Sequence, residues 1–377
     1  MSKLEDYEWM LHYLKMLDST NAKILEGLGK HGPRNVSALA KSVGLPPTTV
    51  TFRIKKLMKE GLLKIGTNLD YSRLGLLKAV LIAESKPGQE KKLQQVVDDL
   101  DYWTYMIRCY GKYDGYYTIF AFPAEYKKEF EEYLNKAMQL KAFSRYIFYH
   151  TTNFTDVALN FDWFDFQSKS WNFQWKHWID EVQNASEKLP RKLVEPETYS
   201  IRVDETDILV LKELEKDGTA KFTKLAEVAN ITPQGVRYRY HKHIVGRGLI
   251  TDYDLATLPY PLPASDMCSF LIDFENEAKL AKFVNSLQNK PFIRTYGKTI
   301  GQHSLVVHTY TPKTEFSRFI DAMNRLTEKK LTKSFIYVTL DVASFKRQTI
   351  SYEFFKENRW TYDYEKKLER LKEVTAK

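Results

Sequence analysis

Cysteine is scarce in this 377-residue chain, which contains only Cys109 and Cys268. Two cysteines cannot build a disulfide scaffold or a cysteine-based zinc site, so we expect a reduced, intracellular protein without a structural metal. No apolar run approaches the ~18 residues of a membrane-spanning helix, and residues 1–9 lack the pattern of a signal peptide. The sequence therefore predicts a cytoplasmic protein with no membrane contact.

Catalytic and cofactor-binding motifs are also missing from the sequence. It contains no Gly-x-Ser-x-Gly, His-Glu-x-x-His or Cys-x-x-Cys pattern. Gly297-Lys298-Thr299 does not complete a phosphate-binding loop, because Phe292 stands where that motif requires glycine. We therefore expect a protein that is not an enzyme and that needs no cofactor.

Apolar residues are plentiful, and the charge balance is basic. Apolar residues make up 43% of the chain and aromatics 14%, which excludes a mainly disordered protein. Lysine and arginine number 57 against 48 acidic residues, for a net charge of +9. This excess favours a polyanionic partner.

The sequence repeats itself at an offset of 186 residues. Thr20, Leu25, Leu28 and Gly32 recur as Thr206, Leu211, Leu214 and Gly218, and the string Ile-Arg-x-Tyr-Gly-Lys recurs at residues 107–112 and 293–298. The repeat predicts a tandem duplication in which each copy has two domains. The predicted parts are a winged helix-turn-helix at 1–75, a ferredoxin-like domain with an aromatic tail at 76–183, a linker at 184–203, a second winged helix-turn-helix at 204–258, and a second ferredoxin-like domain with a helical tail at 259–377.

The first domain of each copy has the pattern of three short helices followed by a strand. Val50, Ile54 and Leu57 mark the buried face of the third helix in copy one. The opposite face and its flanks are polar and cationic. In copy two, Gly235 weakens the equivalent helix, and its core face is irregular. A cationic helix face is usually only solvated surface, but its presence in both copies within the complete pattern favours double-stranded DNA. The candidate DNA-binding residues are Thr48, Thr49, Thr51, Phe52, Arg53, Lys55 and Lys56 in copy one, and Gln234, Arg237, Tyr238, Arg239 and Lys242 in copy two.

The second domain of each copy has the order βαββαβ of a ferredoxin-like fold. Two helices cover one face of such a sheet, and the other face needs a partner sheet, which the duplication supplies. The sequence thus predicts an α+β protein arranged as an intrachain pseudo-dimer. Residues 146–178 add twelve aromatic side chains. Within them, Trp171, Trp175 and Trp178 are expected on one helical face, packed on a sheet or on the other copy.

Several segments resemble the Lrp/AsnC family of transcription regulators. Residues 17–28 resemble the family's opening helix, residues 39–62 its helix-turn-helix, and residues 69–75 its link between domains. The resemblance implies DNA binding as dimers and a small-molecule effector between the ferredoxin-like domains. Gly111, Asp114 and Gly115 match the family's effector turn, although hairpin geometry alone also accounts for the two glycines. Copy two departs from this turn, with Ile300 in place of Asp114.

Three hypotheses follow from the sequence. The first is a sequence-specific transcription regulator, with a small-molecule effector and pairing of two chains as further possibilities. The second is an enzyme that resembles siroheme decarboxylases, in which Arg108, Arg294, His150 and His303 would suit a tetrapyrrole carboxylate. The third is an architectural DNA-binding protein. The cationic third helices favour the first.

Overall fold

The computed structural model describes residues 3–257, 260 and 262–376. The predicted domain boundary at 258/259 and the chain ends 1, 2 and 377 lie outside these residues, and the boundaries stay predictions. Among the described residues, no helix combines the length and the apolar character that crossing a bilayer requires.

Copy one begins with a four-helix head and continues into a ferredoxin-like domain and a tail. The head comprises α1 (Lys3–Met16), α2 (Ser19–His31), α3 (Val36–Val43), α4 (Pro47–Lys59), β1 (Lys64–Ile65) and β2 (Asn68–Leu69). The ferredoxin-like domain comprises β3 (Leu76–Glu84), α5 (Glu90–Asp98), β4 (Trp103–Gly111), β5 (Gly115–Pro123), α6 (Lys127–Gln139) and β6 (Arg145–Thr151). The tail comprises β7 (Thr155–Asp156), β8 (Phe164–Asp165), β9 (Ser170–Trp171) and α7 (Trp175–Asn184).

Copy two repeats this order without an equivalent of α1. Its head comprises α8 (Glu205–Lys216), α9 (Phe222–Ala229), α10 (Pro233–Arg239), β10 (Ile250–Asp252) and β11 (Leu255–Ala256). Its ferredoxin-like domain comprises β12 (Ser265–Asp273), α11 (Glu277–Ser286), β13 (Ile293–Lys298), β14 (Ser304–Pro312), α12 (Lys313–Glu328) and β15 (Ser334–Leu340). Its tail comprises β16 (Lys346–Arg347), β17 (Phe355–Lys356), β18 (Arg359–Trp360) and α13 (Tyr364–Ala376).

The two ferredoxin-like sheets join edge to edge and also pack face to face. The strand order is β6-β3-β5-β4 in copy one, continuing through β15-β12-β14-β13 of copy two to β7. Cys109 pairs with Leu340 at one junction, and Thr155 pairs with Tyr296 at the other. A buried apolar cluster contains side chains from both sheets. The predicted intrachain pseudo-dimer is confirmed.

The copies exchange elements at both ends of the molecule. Strand β1 pairs with β11 and β2 pairs with β10, so each short wing sheet takes one strand from each copy. Helix α7 packs on α11 and α12 of copy two, and α13 packs on α5 and α6 of copy one. The wing strands are only two or three residues long, so their stability depends on this pairing between the copies.

The helical part of the aromatic tail packs against copy two, as expected, whereas Phe161 and Phe164 pack in the core of the first head. One detail of the prediction is wrong. Trp175 and Trp178 lie on α7, where Trp178 is fully buried beside Phe283 and Phe292. Trp171 lies outside that helix, in the short strand β9 opposite Phe164. Residues 172–174, which are neither helix nor strand, separate β9 from α7, so helical spacing does not extend back to Trp171.

Candidate nucleic-acid interface

The third helix of copy one, α4, separates an apolar face from an exposed one. Pro47 stands in its first turn, where a missing backbone N–H costs nothing. Val50, Ile54 and Leu57 are buried in the core of the first head. On the other side the exposed candidate residues are Thr48, Phe52, Lys55 and Lys56, and Phe52 retains 66% of its surface. A large aromatic this exposed on a cationic helix is available to a partner.

The third helix of copy two, α10, has the same division of faces. The Thr232 hydroxyl oxygen caps it by accepting from the N–H of Gly235 at 3.1 Å. Its exposed candidate residues are Gln234, Arg237 and Tyr238, of which Tyr238 retains 60% of its surface, and the exposed Lys242 follows just after the helix. The helix continues as a π-helical segment, Tyr240–Val245, which keeps Tyr240 and Ile244 in the core. The wider π-helical turn explains why the buried residues of this helix do not follow regular α-helical spacing in the sequence.

Two of the candidate residues point into their own heads. Arg53 Nη1 donates to Asp18 Oδ2 at 2.9 Å and to Asn21 Oδ1 at 3.0 Å. Although partial burial opposes it, the backbone N–H of Asn21 and the guanidinium of Arg53 lower the pKa of the Asp18 carboxyl. Asp18 also caps α2. Arg53 therefore ties the third helix to the start of the first helix of the motif.

Arg239 makes the same connection in copy two. Its Nη1 lies 2.7 Å from Asp204 Oδ2 and 2.8 Å from Asp207 Oδ1. The fully buried Asp207 also contacts His243 Nδ1 at 3.1 Å. Asp204, Asp207 and His243 are close enough to hold a metal ion. The guanidinium of Arg239 already pairs with both carboxylates, and Arg247 also lies near Asp207, so the group forms an ion-pair cluster.

The two remaining candidates in copy one are partly covered. The Thr51 hydroxyl donates to the carbonyl of Pro47 at 2.8 Å, which satisfies it within the helix. Thr49 is half-buried. These two threonines are therefore less accessible than Thr48 and Phe52.

The two heads contact each other directly beside α4. Arg34 Nη2 donates to the carbonyl of Ala220 at 2.7 Å, and its guanidinium lies 4.8 Å from the centre of the Tyr240 ring. A groove of about 380 Å³ runs between the heads, with Lys55 on one wall and Lys221 and Lys224 on the other. Sequence reasoning missed these two lysines because they lie outside the third helix. Their position extends the cationic surface from one head to the next.

The predicted effector turn has structural roles for all three of its residues. Gly111 ends β4 with φ of +104°, a conformation that favours glycine. A Cβ on Gly115 would lie 1.9 Å from the carbonyl oxygen of Ala83, so the strand pairing itself requires glycine there. Asp114 Oδ1 accepts from Arg108 Nη2 at 2.8 Å. These contacts account for the residues, and their effector role stays a prediction.

Three of the four residues named for the enzyme hypothesis have partners of their own. Arg108 is held by Asp114, and Arg294 Nη1 donates to the carbonyl of Thr257 at 3.1 Å. His150 stacks edge-on against Phe148, and burial, with the nearby charge of Lys127, lowers its pKa to about 4. His303 is exposed.

Comparisons with known families agree with this geometry. Residues 17–64 match the family described as winged helix-turn-helix DNA-binding. Residues 203–242 match the AsnC-type helix-turn-helix domain. The chain carries two helix-turn-helix domains, and the second is of the AsnC type. The resemblance to Lrp/AsnC regulators is confirmed.

Relatives and solved structures extend the comparison. An HTH-type transcriptional regulator of Pyrococcus furiosus is 41% identical over 63 residues, which cover 16% of this chain and 42% of that relative. One of Pyrococcus horikoshii is 23% identical over 154 residues, covering 40% of this chain and 96% of that relative. The crystal structure of the siroheme decarboxylase NirDL with an iron-uroporphyrin III analogue has a TM-score of 0.50 and 13% identity. The match covers 94% of this chain and 99% of the NirDL chain, so the likeness in fold includes both copies.

Proposed function

We propose that this protein is a sequence-specific DNA-binding transcription regulator with two different reading heads. The observation that carries the proposal is the pair of third helices, α4 and α10. Each buries its apolar face in its own head and exposes a central aromatic flanked by cationic or polar side chains. A helix of this width enters the major groove, where such side chains contact base edges and phosphates.

The exposed side chains divide into two roles in this proposal. Thr48, Phe52, Gln234 and Tyr238 lie on the exposed faces and contact bases, because hydroxyls, amides and aromatic rings can discriminate among base edges and the thymine methyl. The phosphate contacts come from lysines and arginines along the same faces and the groove, namely Lys55, Lys56, Lys221, Lys224, Arg237 and Lys242. Arg53 and Arg239 orient the two helices, and Thr49 and Thr51 line the edge of α4.

The two heads require an asymmetric site. Phe52 corresponds to Tyr238 and Thr48 to Gln234 at the repeat offset, so the two helices offer different groups to DNA. The preferred sequence should be an imperfect palindrome whose half-sites lie about one helical turn, ~34 Å, or a multiple of it apart.

Further parts of the proposal concern partners and location. We propose that the protein acts in the cytoplasm, where it reaches chromosomal DNA, and that it acts by binding without catalysing a reaction. A small-molecule effector at Gly111, Asp114 and Gly115, and pairing of two chains, stay predictions. Calorimetric titration with amino acids and sedimentation of the free protein would test these two points.

The decisive experiment is selection of bound DNA from a random pool, followed by gel shifts across a salt series. We expect an enriched asymmetric motif and an affinity that falls steeply with salt. Replacing Lys55 and Lys56 by alanine should reduce the salt slope by about one for each phosphate that is no longer neutralised. The matched control replaces Lys127 and Lys128, two exposed lysines of the ferredoxin-like domain. Binding without sequence preference would support an architectural role, and absence of binding would overturn the proposal.

A tetrapyrrole enzyme is the second candidate, because the likeness in fold to NirDL covers nearly the whole chain. The exposed, cationic third helices favour the regulator. Titration of the purified protein with an iron porphyrin separates the two candidates. Saturable binding with a shifted Soret band, together with no affinity for DNA, would favour the enzyme.

A further inference from the structure

The linker between the copies places a carboxylate on a turn of copy two. Glu195 accepts hydrogen bonds through its Oε1 from Lys298 Nζ and from the backbone N–H of Gly301, the latter at 3.0 Å. Although partial burial opposes it, these two contacts lower the pKa of the Glu195 carboxyl. Glu195 is therefore bound as an anion between β13 and β14.

Lys298 requires an anion at this position. Only 5% of its side chain is exposed, and its other hydrogen bond goes to the carbonyl of Thr299 at 3.3 Å. A buried ammonium group without a counter-charge is strongly unfavourable. The turn therefore favours a carboxylate whether or not that carboxylate belongs to the linker.

The turn is held in place by both copies. Lys298 N–H donates to Thr152 Oγ1 at 3.1 Å, and Thr152 N–H donates to the Lys298 carbonyl at 2.8 Å. Thr151 pairs with Thr299 in an isolated bridge. Since backbone contacts with copy one fix the turn, it keeps its shape when Glu195 leaves.

The site is specific to copy two and is open to solvent on one side. The equivalent Lys112 of copy one is exposed. Glu195 retains 34% of its side-chain surface and borders a cleft of about 840 Å³. The cleft is also lined by Arg73, Lys192 and Asp252. Small solutes can therefore reach the carboxylate position.

We propose that the turn formed by Lys298 and Gly301 is a carboxylate-binding site, which Glu195 of the chain's own linker occupies and which a small soluble carboxylate fills when Glu195 is removed. Occupation by Glu195 fastens the linker to the ferredoxin-like sheet. The linker then contacts copy one, where Arg202 N–H donates to the carbonyl of Arg73, and it continues into the second head, where Asp204 caps α8. The proposal does not depend on DNA binding.

The test compares Glu195→Ala with Glu197→Ala in the full chain. Glu197 is an exposed acid two residues along the same linker, so both variants lose one negative charge there. Trypsin cleavage at the exposed Arg191 and Lys192 reports release of the linker. We expect cleavage about tenfold faster in Glu195→Ala than in wild type or Glu197→Ala, because local opening governs cleavage of folded proteins.

Acetate tests whether the site binds a soluble carboxylate when the linker is not bound there. At constant ionic strength, acetate in place of chloride should raise the melting temperature of Glu195→Ala selectively, while its linker stays open to trypsin. The double variant Glu195→Ala/Lys298→Met should not respond to acetate. If Glu195→Ala does not fold, Lys298→Met replaces it in the test. We then expect fast trypsin cleavage of Lys298→Met and no change of its melting temperature with acetate. Equal acetate effects in Glu195→Ala and Glu197→Ala, or unchanged cleavage in Glu195→Ala and Lys298→Met, would overturn the proposal.

Discussion

Arg53 holds its guanidinium 2.9 Å from the carboxylate of Asp18, and Arg239 repeats the contact with Asp204 at 2.7 Å. Both pairs join the third helix of a head to the N-terminus of its first motif helix. Both recur at the repeat offset of 186 residues, together with Asn21 and Asp207. In both copies, an ion pair within the head thus involves the arginine that the sequence alone suggested as a DNA contact.

The first prediction separates an orienting role from a direct contact. Arg53→Ala should weaken DNA binding about tenfold and lower the unfolding free energy by about 1 kcal/mol, because the pair is partly exposed. Asp18→Ala should also weaken binding, although it makes the protein more positive. Gel shifts at fixed salt check this. Tighter binding by Asp18→Ala would show that Arg53 contacts DNA directly.

The second prediction concerns the exposed aromatics. Phe52→Ala and Tyr238→Ala should each lower affinity for the selected site by about 1–3 kcal/mol, the scale of one mismatched base pair. Unfolding free energies should change by less than about 0.5 kcal/mol, as at other surface positions. Phe345→Ala is the control, since Phe345 is 48% exposed and lies in the tail of copy two. An effect of the same size in the control would contradict the prediction.

The third prediction concerns Lys78, which is buried under the ring of Tyr71 at 4.3 Å. Burial lowers its pKa to about 7, with Glu215 opposing the change and Arg347 adding to it. In the unfolded chain lysine titrates near 10.4, so between pH 7 and that value the unfolded state binds more protons. The contribution of Lys78 to the unfolding free energy should therefore rise with pH over this range, by at most about 1.4 kcal/mol per pH unit.

Urea unfolding of the wild type and Lys78→Met at pH 7 and 9 measures this contribution. The wild type should gain stability relative to Lys78→Met at the higher pH. Lys91→Met, at an exposed position, serves as the control and should follow the wild type. A constant difference between wild type and Lys78→Met would show that Lys78 titrates normally.

The fourth prediction concerns the exchanged tail. Trp178 is fully buried on copy two and its Nε1 donates to Ser286 Oγ at 3.2 Å. Trp178→Ala should cost about 3–5 kcal/mol of unfolding free energy, and Trp178→Phe should cost less. Hydrogen exchange should accelerate in α11 and α12 before it does in β3. Uniform acceleration in both copies would contradict packing of this tail on copy two.

The elements were predictable from local pattern, whereas their exchange between copies was not. Val50, Ile54 and Leu57 follow helical spacing and lie buried on α4 as predicted. Lys64 and Ile65 indicate a strand, but nothing near them in sequence identifies Ala256 and Leu255 as partners. Pairing across about half the chain depends on tertiary packing, which periodicity does not encode.

The candidate site was predictable in the same partial way. Helical spacing separated Val50 and Ile54 from the exposed Phe52, because those positions lie on clearly opposite faces. Arg53 lies on the border between the faces, where its long side chain can turn either way. The recurrence of Asp18 and Arg53 as Asp204 and Arg239 was the available signal for an internal pair. Glu195 gave no such signal, because it lies in a linker without a counterpart.

The two copies share their wing sheets, and each packs its tail helix on the other. The covalent linker is therefore not needed to hold the two halves together. Each half contributes two wing strands and one tail helix to contacts with the other half, so a cut chain should remain a non-covalent heterodimer that separates only on denaturation. Co-expression of the halves as two polypeptides should therefore reconstitute the assembly, and neither half should be stable when produced alone.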